Sequence, residues 1–482
     1  MPERTLSSRM KAEKLSIAYV IAVIVLLVLT GFSLYAYKER MLFADPGFIT
    51  FNIINTKSFC FSEHRYGAFI TQLFPLAGVY MGLSLKTILQ LYSVSFYLFY
   101  LGSALLIGFA WKQKWMGILL TIYLTLFVSD GYYWPNNEVH QGITWMFLFL
   151  AYYSYSSKKN WLAHVLLFTF AFFAISSHML VLLPFLFLWI WIHPAIFKTP
   201  FNVLQQKHFL IYSLLLISLM GVRYILSNQG WYDSEKLIAV KQVSFSTIAH
   251  AFESGQSVSF LNLLFTNYWI ALIPFAGSIV LLLLQRKYYQ LGFFLLSVLT
   301  YYLLICIVYP DSFNRSLRFY MESEWAGLSV LIATPFVLYL PESIRKAGII
   351  AAVFAAIFFI RLGYIHQSSA YFDERLDQLD QLTNTLAKQK INKAVIIEDK
   401  SITNQLFIMD WGLPVESMLL SELKGMKPAV TFKIADQQFE TRQLKDSFYS
   451  CFEVQPVSLL NKKYFSIDTT HSYHVILGII SN

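Results

Sequence analysis

The sequence predicts an α-helical polytopic membrane protein that ends in a small soluble α/β domain. Three observations carry this expectation. Of the 482 residues, 56% are hydrophobic and only 13% charged, against about 25% charged in ordinary soluble chains. Apolar windows of roughly 20 residues, enough to span a ~30 Å hydrocarbon core, recur as far as Gly363. From Tyr364 the apolar runs shorten and charge thickens, which divides the chain into a membrane domain over 1–363 and a soluble domain over 364–482.

Taken in order, the first apolar run, Leu15 to Tyr37, is too long for a signal-peptide core and has no small-residue cleavage site, so it is expected to stay as an anchor. Lys38 to Lys86 follows as a large loop. Its "ADPGF", Ala44 to Phe48, reads as a turn, and "SEHRYGAFITQLFPLAGVYMGLS" as a helix along the membrane interface. Further spans are expected at about 88–111, 115–129, 141–157, 161–175, 179–193, 209–226, 262–284, 291–308, 326–340 and 347–363, which makes about eleven transmembrane helices. Ser176, Ser177 and His178 leave open a single bent element in place of the pair 161–175 and 179–193. His178 itself reads as a packing residue. In the tail, Leu376, Leu379, Leu382 and Leu386 recur at helical spacing, and a second helix is expected over Glu416 to Lys424. "KAVIIED", "AVTFKIA", "FYSCFEV" and "YHVILGII" read as four strands.

The net charge of +9 would suggest nucleic acid in a soluble protein, but here basic residues sort by loop. Pairs at Lys112 and Lys114, Lys158 and Lys159, Arg286 and Lys287, and Arg345 and Lys346 fall in loops of one parity. The positive-inside rule then places the N-terminus in the cytoplasm and the tail outside, in a multi-pass protein of a bacterial inner or plasma membrane with no nucleic-acid partner. Cys60, Cys306 and Cys451 follow no metal or redox spacing, and a Cys60 to Cys451 disulfide is compatible with an outer location.

Candidate chemistry lies in the outer loops. Asp45, before Pro46, reads either as a turn or helix-capping residue or as a general base at the bilayer surface. Glu63, His64 and Arg65 form a second polar cluster: Glu63 and His64 are catalytic candidates and Arg65 an anion ligand, unless they form the solvated face of the interfacial helix. "SDGYYWPNNEVHQG" adds Glu138 and His140, two positions apart, which a loop can aim into one cavity and a regular helix would separate. Asp45 with Glu138 suits a Mg²⁺ or Mn²⁺ ion facing a phosphate. In "YPDSFNRSLRFYMESEW", Arg315 and Arg318 share a helical face and can grip one phosphate or diphosphate, or else pair with Asp311, Glu322 and Glu324 or with anionic headgroups.

In layout these loops resemble the GT-C superfamily of integral membrane glycosyltransferases. A first span is followed by a large outer loop with an acidic residue, here Asp45, then an interfacial helix and a pair of spans, here "HRYGAFITQLFPLAGVYMGLSLKTILQLYSV". Glu138 in "NNEVHQG" stands where a second acidic residue often follows, "FAFFAISSHMLVLLPFLFLWIW" is similar to the next helix pair, and "NRSLRFYME" to a basic late loop. The resemblance covers residues 15–340 and implies a GT-C-like fold and transfer of a sugar from a polyprenyl-phosphate donor to an envelope glycan, lipid or protein. It also departs from the pattern, since Asp45 has no acidic neighbour. A lipid or solute transporter or flippase, or a non-catalytic assembly protein, are the alternatives.

Overall fold

The computed structural model of the chain describes residues 13–156, 160–199, 203, 206–311, 317–397, 407, 409–435 and 444–477. Most of it is a helical bundle. α1 (Ser16–Tyr35) is apolar on all sides, as suits a helix that meets lipid on one face and neighbours on the other. The Lys38 to Lys86 segment is mostly helical rather than loop: α2 (Ala44–Thr56) and α3 (Phe69–Tyr80) flank a polar bend. α4 (Leu85–Leu105) begins where Ser84 Oγ accepts the Thr87 amide proton at 3.2 Å, and a π-turn extends it to Ala110. α5 (Lys114–Tyr123), α6 (Glu138–Tyr155), α7 (Trp161–Ser177), α8 (Leu182–Trp191) and α9 (Lys207–Ser227) follow, with Asn137 and Asn160 capping α6 and α7. α10 (Trp231–Lys241), α11 (Phe245–Ala251), α12 (Gly255–Thr266), α13 (Leu272–Leu284), α14 (Tyr288–Val308), α15 (Arg318–Ser343) and α16 (Ala347–Lys388) complete the bundle.

Among the described residues, six helices are long and apolar enough to cross a membrane: α1, α4 with its extension, α9, α14, α15 and α16. A seventh is present if α11–α12 and the following helix to Leu284, bent by 87° at a short break, form one broken span. This replaces the expected eleven. The apolar segments over 115–129, 161–175 and 179–193 fold into short helices; α7, with 17 residues, is only about 26 Å long at 1.5 Å per residue. Between α7 and the next turn His178 is extended, with φ −165° and ψ 147°, so the serine–histidine stretch is a break and not the middle of one helix.

Lysine contacts bring three helix ends together on one side of the bundle. Lys14 Nζ donates to the Pro341 and Ile344 carbonyls at 2.8 and 3.1 Å, and Lys114 Nζ to Ser16 Oγ at 2.6 Å. Lys287 Nζ lies 3.9 Å from Glu342 Oε2. The start of α1, the start of α5 and the end of α15 therefore share one basic end; Lys158 and Lys159 lie outside the described residues. At the other end Arg375 Nη1 donates to the Leu42 carbonyl at 3.2 Å, and Asn461 bonds Asn55 and Ile54 across to α2. The Lys38 to Lys86 segment and the tail thus share a side, opposite the start of α1.

The tail is reached without a linker. α16 is one helix of 42 residues that runs through position 364 and places Leu379, Leu382 and Leu386 against the tail. β1 (Lys393–Ile397) is central in a parallel sheet between β2 (Thr431–Ala435) and β5 (His474–Leu477), with Ala394 opposite both Phe432 and His474. α17 (Leu413–Leu423) covers β2, where Thr431 Oγ1 donates to the Pro414 carbonyl at 2.9 Å. The "FYSCFEV" stretch, expected as one strand, folds as β3 (Ser447–Tyr449) and antiparallel β4 (Val454–Pro456), because Ser450 and Glu453 close a turn between them. The described tail therefore has five strands, not four.

Candidate functional site

Where bundle and tail meet, a cavity of about 580 Å³ is lined by residues from α2, the bend before α3, the start of α6, the α7–α8 break, α15 and the tail. Asp45 stands in its wall in the first turn of α2, a position where a helix dipole favours an acid and a proline is tolerated. It does not cap the helix. The Ala44 amide donates instead to Glu416 Oε1 of the tail at 2.6 Å, and Ala44 reaches that cap through a positive φ of 39°. The Asp45 carboxylate is left to the cavity, where Trp134 Nε1 donates to its Oδ2 at 2.9 Å. Burial pushes the Asp45 carboxyl up to about 6; the Trp134 bond and Arg65 work against this shift, and the Glu138 charge adds to it.

Beside Asp45 runs a string of alternating charges. Arg65 donates through Nη1 to Glu138 Oε2 at 3.0 Å and through Nη2 to Asp233 Oδ1 at 3.1 Å. Arg223 Nη2 continues it to Asp233 Oδ2 at 2.6 Å, and Arg223 Nη1 donates to the Glu63 carbonyl at 2.8 Å. Glu138, the first residue of α6, is held in place by the Asn137 cap. Glu63 and His64 take positive φ of 50° and 57°, a costly pair of left-handed turns for non-glycine residues that bends the chain so Glu63 and Arg65 face the cavity. His178 also lines it: its Nδ1 accepts the Leu180 amide proton at 3.1 Å, so Nε2 carries the proton in the neutral ring. On α15, Glu324 closes the far wall and accepts from Gln256 Nε2 at 2.7 Å.

Asp45, Glu63, Arg65 and Glu138 of the sequence-derived set thus line one cavity. His64, His140 and Arg318 lie elsewhere. His140 is buried with Nδ1 against Tyr123 Oη at 2.8 Å, because α6 begins at Glu138 and two positions on a helix point to different sides. His64 sits on the surface beside Tyr66 Oη at 3.1 Å. Arg318 does not line this cavity: it is buried in contact with Asp130 and Glu322 and donates to Ser368 Oγ at 2.9 Å. The reason is register. α15 begins at Arg318, so Arg318 and Glu322 form one face while Tyr320 and Glu324 form the cavity face. Glu322 also accepts the Ser129, Asp130 and Gly131 amides at 2.8, 3.1 and 2.6 Å, and thereby anchors the turn that precedes α6. Arg315 lies outside the described residues. Cys60 and Cys451 are not bridged.

No protein-family model, curated protein or solved structure matches the chain. The site is therefore read from its own chemistry. A divalent cation does not fit the expected pair, since Glu138 is engaged by Arg65 and Asp45 by Trp134, and among the described residues no group of three or more acidic, histidine or cysteine side chains is placed to hold a metal. Sequence reasoning missed Trp134, Arg223 and Asp233, read His178 as a packing residue, and took Glu324 only as a partner for the late-loop arginines. Arg223 did leave a signal, a lone arginine in the apolar run "LISLMGVRYILS", where an unpaired charge would be costly. Asp233, its partner, sits in an ordinary polar segment with nothing local to mark it.

Proposed function

We propose that the chain is a membrane glycosyltransferase that moves a sugar from a polyprenyl-phosphate donor to a hydroxyl of an envelope glycan, lipid or protein, with Asp45 as general base. The observation that supports this reading is the cavity itself, in which a carboxylate with a raised pKa faces an arginine held by two acids, at the end of the bundle beside a soluble domain. In the reaction the acceptor O–H gives its proton to Asp45, its oxygen forms a bond to the anomeric carbon, and the bond from that carbon to the phosphate oxygen breaks with its electron pair going to the phosphate. Arg65 and the Nε2–H of His178 supply positive charge and a donor to the departing oxygens. No step passes through a metal ion. On the positive-inside rule we take the lysine-bearing end of the bundle as cytoplasmic, with the cavity and the tail on the outer face.

A flippase reading draws on the helix pair bent by 87°, since broken helices are how many transporters build substrate sites. One experiment separates the two. Reconstituted protein is given radiolabelled polyprenyl-phosphate sugars, and both transfer and movement between leaflets are followed. Asp45→Asn is expected to lose transfer by roughly 10²-fold or more with donor binding retained. Wild-type transfer by the variant, or leaflet exchange without transfer in the wild type, overturns the proposal.

A further inference from the structure

The basic end of the bundle carries a second cavity, of about 650 Å³, on the opposite side from Asp45. Among the described residues that line it none is acidic, and three are cationic: Lys198, Arg286 and Lys287. Two helices start in its wall. α14, a 21-residue helix, begins at Tyr288 with no side-chain cap on its first amides, and α5 begins at Lys114 with none either. Helix N-termini present unbonded N–H groups and partial positive charge to the space in front of them. A second feature is independent of the helix ends. Trp191 lines the cavity and is 3% exposed, yet among the described residues its indole Nε1 has no hydrogen-bond partner. A buried donor without an acceptor is costly, and an anion in the cavity would supply one.

We propose that this cavity binds the phosphate of an anionic membrane lipid. Cationic side chains, uncapped helix starts and the Trp191 N–H all offer positive charge or donors, so the ligand class is an anion with several acceptor oxygens. The surroundings favour a lipid phosphate over a free one. Trp115, Phe197 and Leu338 give apolar walls, and Tyr288 and Tyr289 stand 62% and 80% exposed at the end of a bundle whose outer helices are apolar. Amphipathic rings hold the depth of lipid headgroups, and basic pockets between spans are suited to them. Lys287, over the Tyr339 ring at 3.5 Å, already has an aromatic partner, so Lys198 and Arg286 are the cations to test.

The test uses the purified full chain stripped of lipid, with bound lipid counted by native mass spectrometry. Phosphatidylglycerol is expected to bind in preference to phosphatidylcholine, and Lys198→Gln with Arg286→Gln to weaken it by about tenfold or more. Trp191→Phe, which removes the donor and keeps the ring, weakens it by a few-fold. Millimolar inorganic phosphate leaves the lipid in place. Asp45→Asn leaves lipid binding intact, so failure of this proposal and failure of the transferase reading are told apart. Equal retention of the two lipids, unchanged affinity in the variants, or displacement by inorganic phosphate overturns it.

Discussion

Glu416 of the tail is the group whose removal should reach the cavity from furthest along the chain. Its side chain is fully buried; Oε1 accepts the Ala44 amide at 2.6 Å, and Oε2 accepts from Arg375 Nη2 at 2.7 Å. Burial raises the Glu416 carboxyl's pKa, while Arg375 and the Ala44 amide work to keep it ionised. Glu416→Ala strands a guanidinium and an amide together. Breaking one partner from a buried pair costs about 3–5 kcal/mol. Arg375 also donates to the Leu42 carbonyl at 3.2 Å and lies 4.9 Å from the Phe43 ring, so the lower part of that range, about 3 kcal/mol, is expected. Glu416→Gln keeps an acceptor and should cost about 1–2 kcal/mol. The assay is a double-mutant cycle with Arg375→Met, read by unfolding in detergent. Coupling of about 2 kcal/mol is expected, because the double variant leaves no stranded charge. Strict additivity, or an alanine variant as stable as wild type, would show that the pair does not hold α2 to the tail.

Two further outcomes follow from the site. If Asp45 is the base, kcat/KM falls about tenfold per pH unit below about 6 and is flat above it, since a carboxyl with a raised pKa is ionised only above that value; Trp134→Phe removes a bond that lowers the pKa and should move the limb to higher pH. An unmoved limb in that variant assigns the limb to another group. Arg318→Lys should lower the melting temperature and leave the donor KM of the folded protein unchanged, because a lysine cannot serve Asp130, Glu322 and Ser368 together; a raised KM in a fully stable variant would put Arg318 at the donor after all.

What the sequence made legible was whatever its local pattern decides. Composition marked the membrane class, and carboxylates placed just outside apolar runs marked Asp45 and Glu138. Span number was less legible, because hydropathy does not distinguish a short helix buried among its neighbours from one that crosses, and α5, α7 and α8 are short. Helix starts were a second blind spot. "ADPGF" has the composition of a turn, yet the Glu416 cap makes it the first turn of α2; likewise the start of α15 at Arg318 turns its side chain away from the cavity. Partners remote in sequence left no trace at all: Arg65 meets Asp233 at a separation of 168 residues, and Ala44 meets Glu416 at 372.

The charge string constrains how the proposed reaction runs. Glu138, Arg65, Asp233 and Arg223 hold two acids and two guanidiniums in contact, so the string is neutral as it stands and Arg65 has no spare partner to give up without loss. In the proposed reaction a donor phosphate that takes an Nη group of Arg65 competes with one of these acids, and Glu138 is the easier to displace, since Asp233 is also tied to Arg223 and Glu138 already faces the cavity. Displacement has a definite electrical consequence. Arg65 lowers the Asp45 pKa and Glu138 raises it, so turning Arg65 toward a phosphate and leaving Glu138 unneutralised both increase the proton affinity of Asp45, and the phosphate charge acts in the same sense. The base becomes stronger only once the leaving group is in place. In the pH profile this separates the two acid limbs: the limb of kcat, which reports the loaded enzyme, lies at higher pH than that of kcat/KM, which reports the free one. Coincident limbs would mean that the phosphate binds without drawing Arg65 from Glu138, and that the string is scaffolding alone.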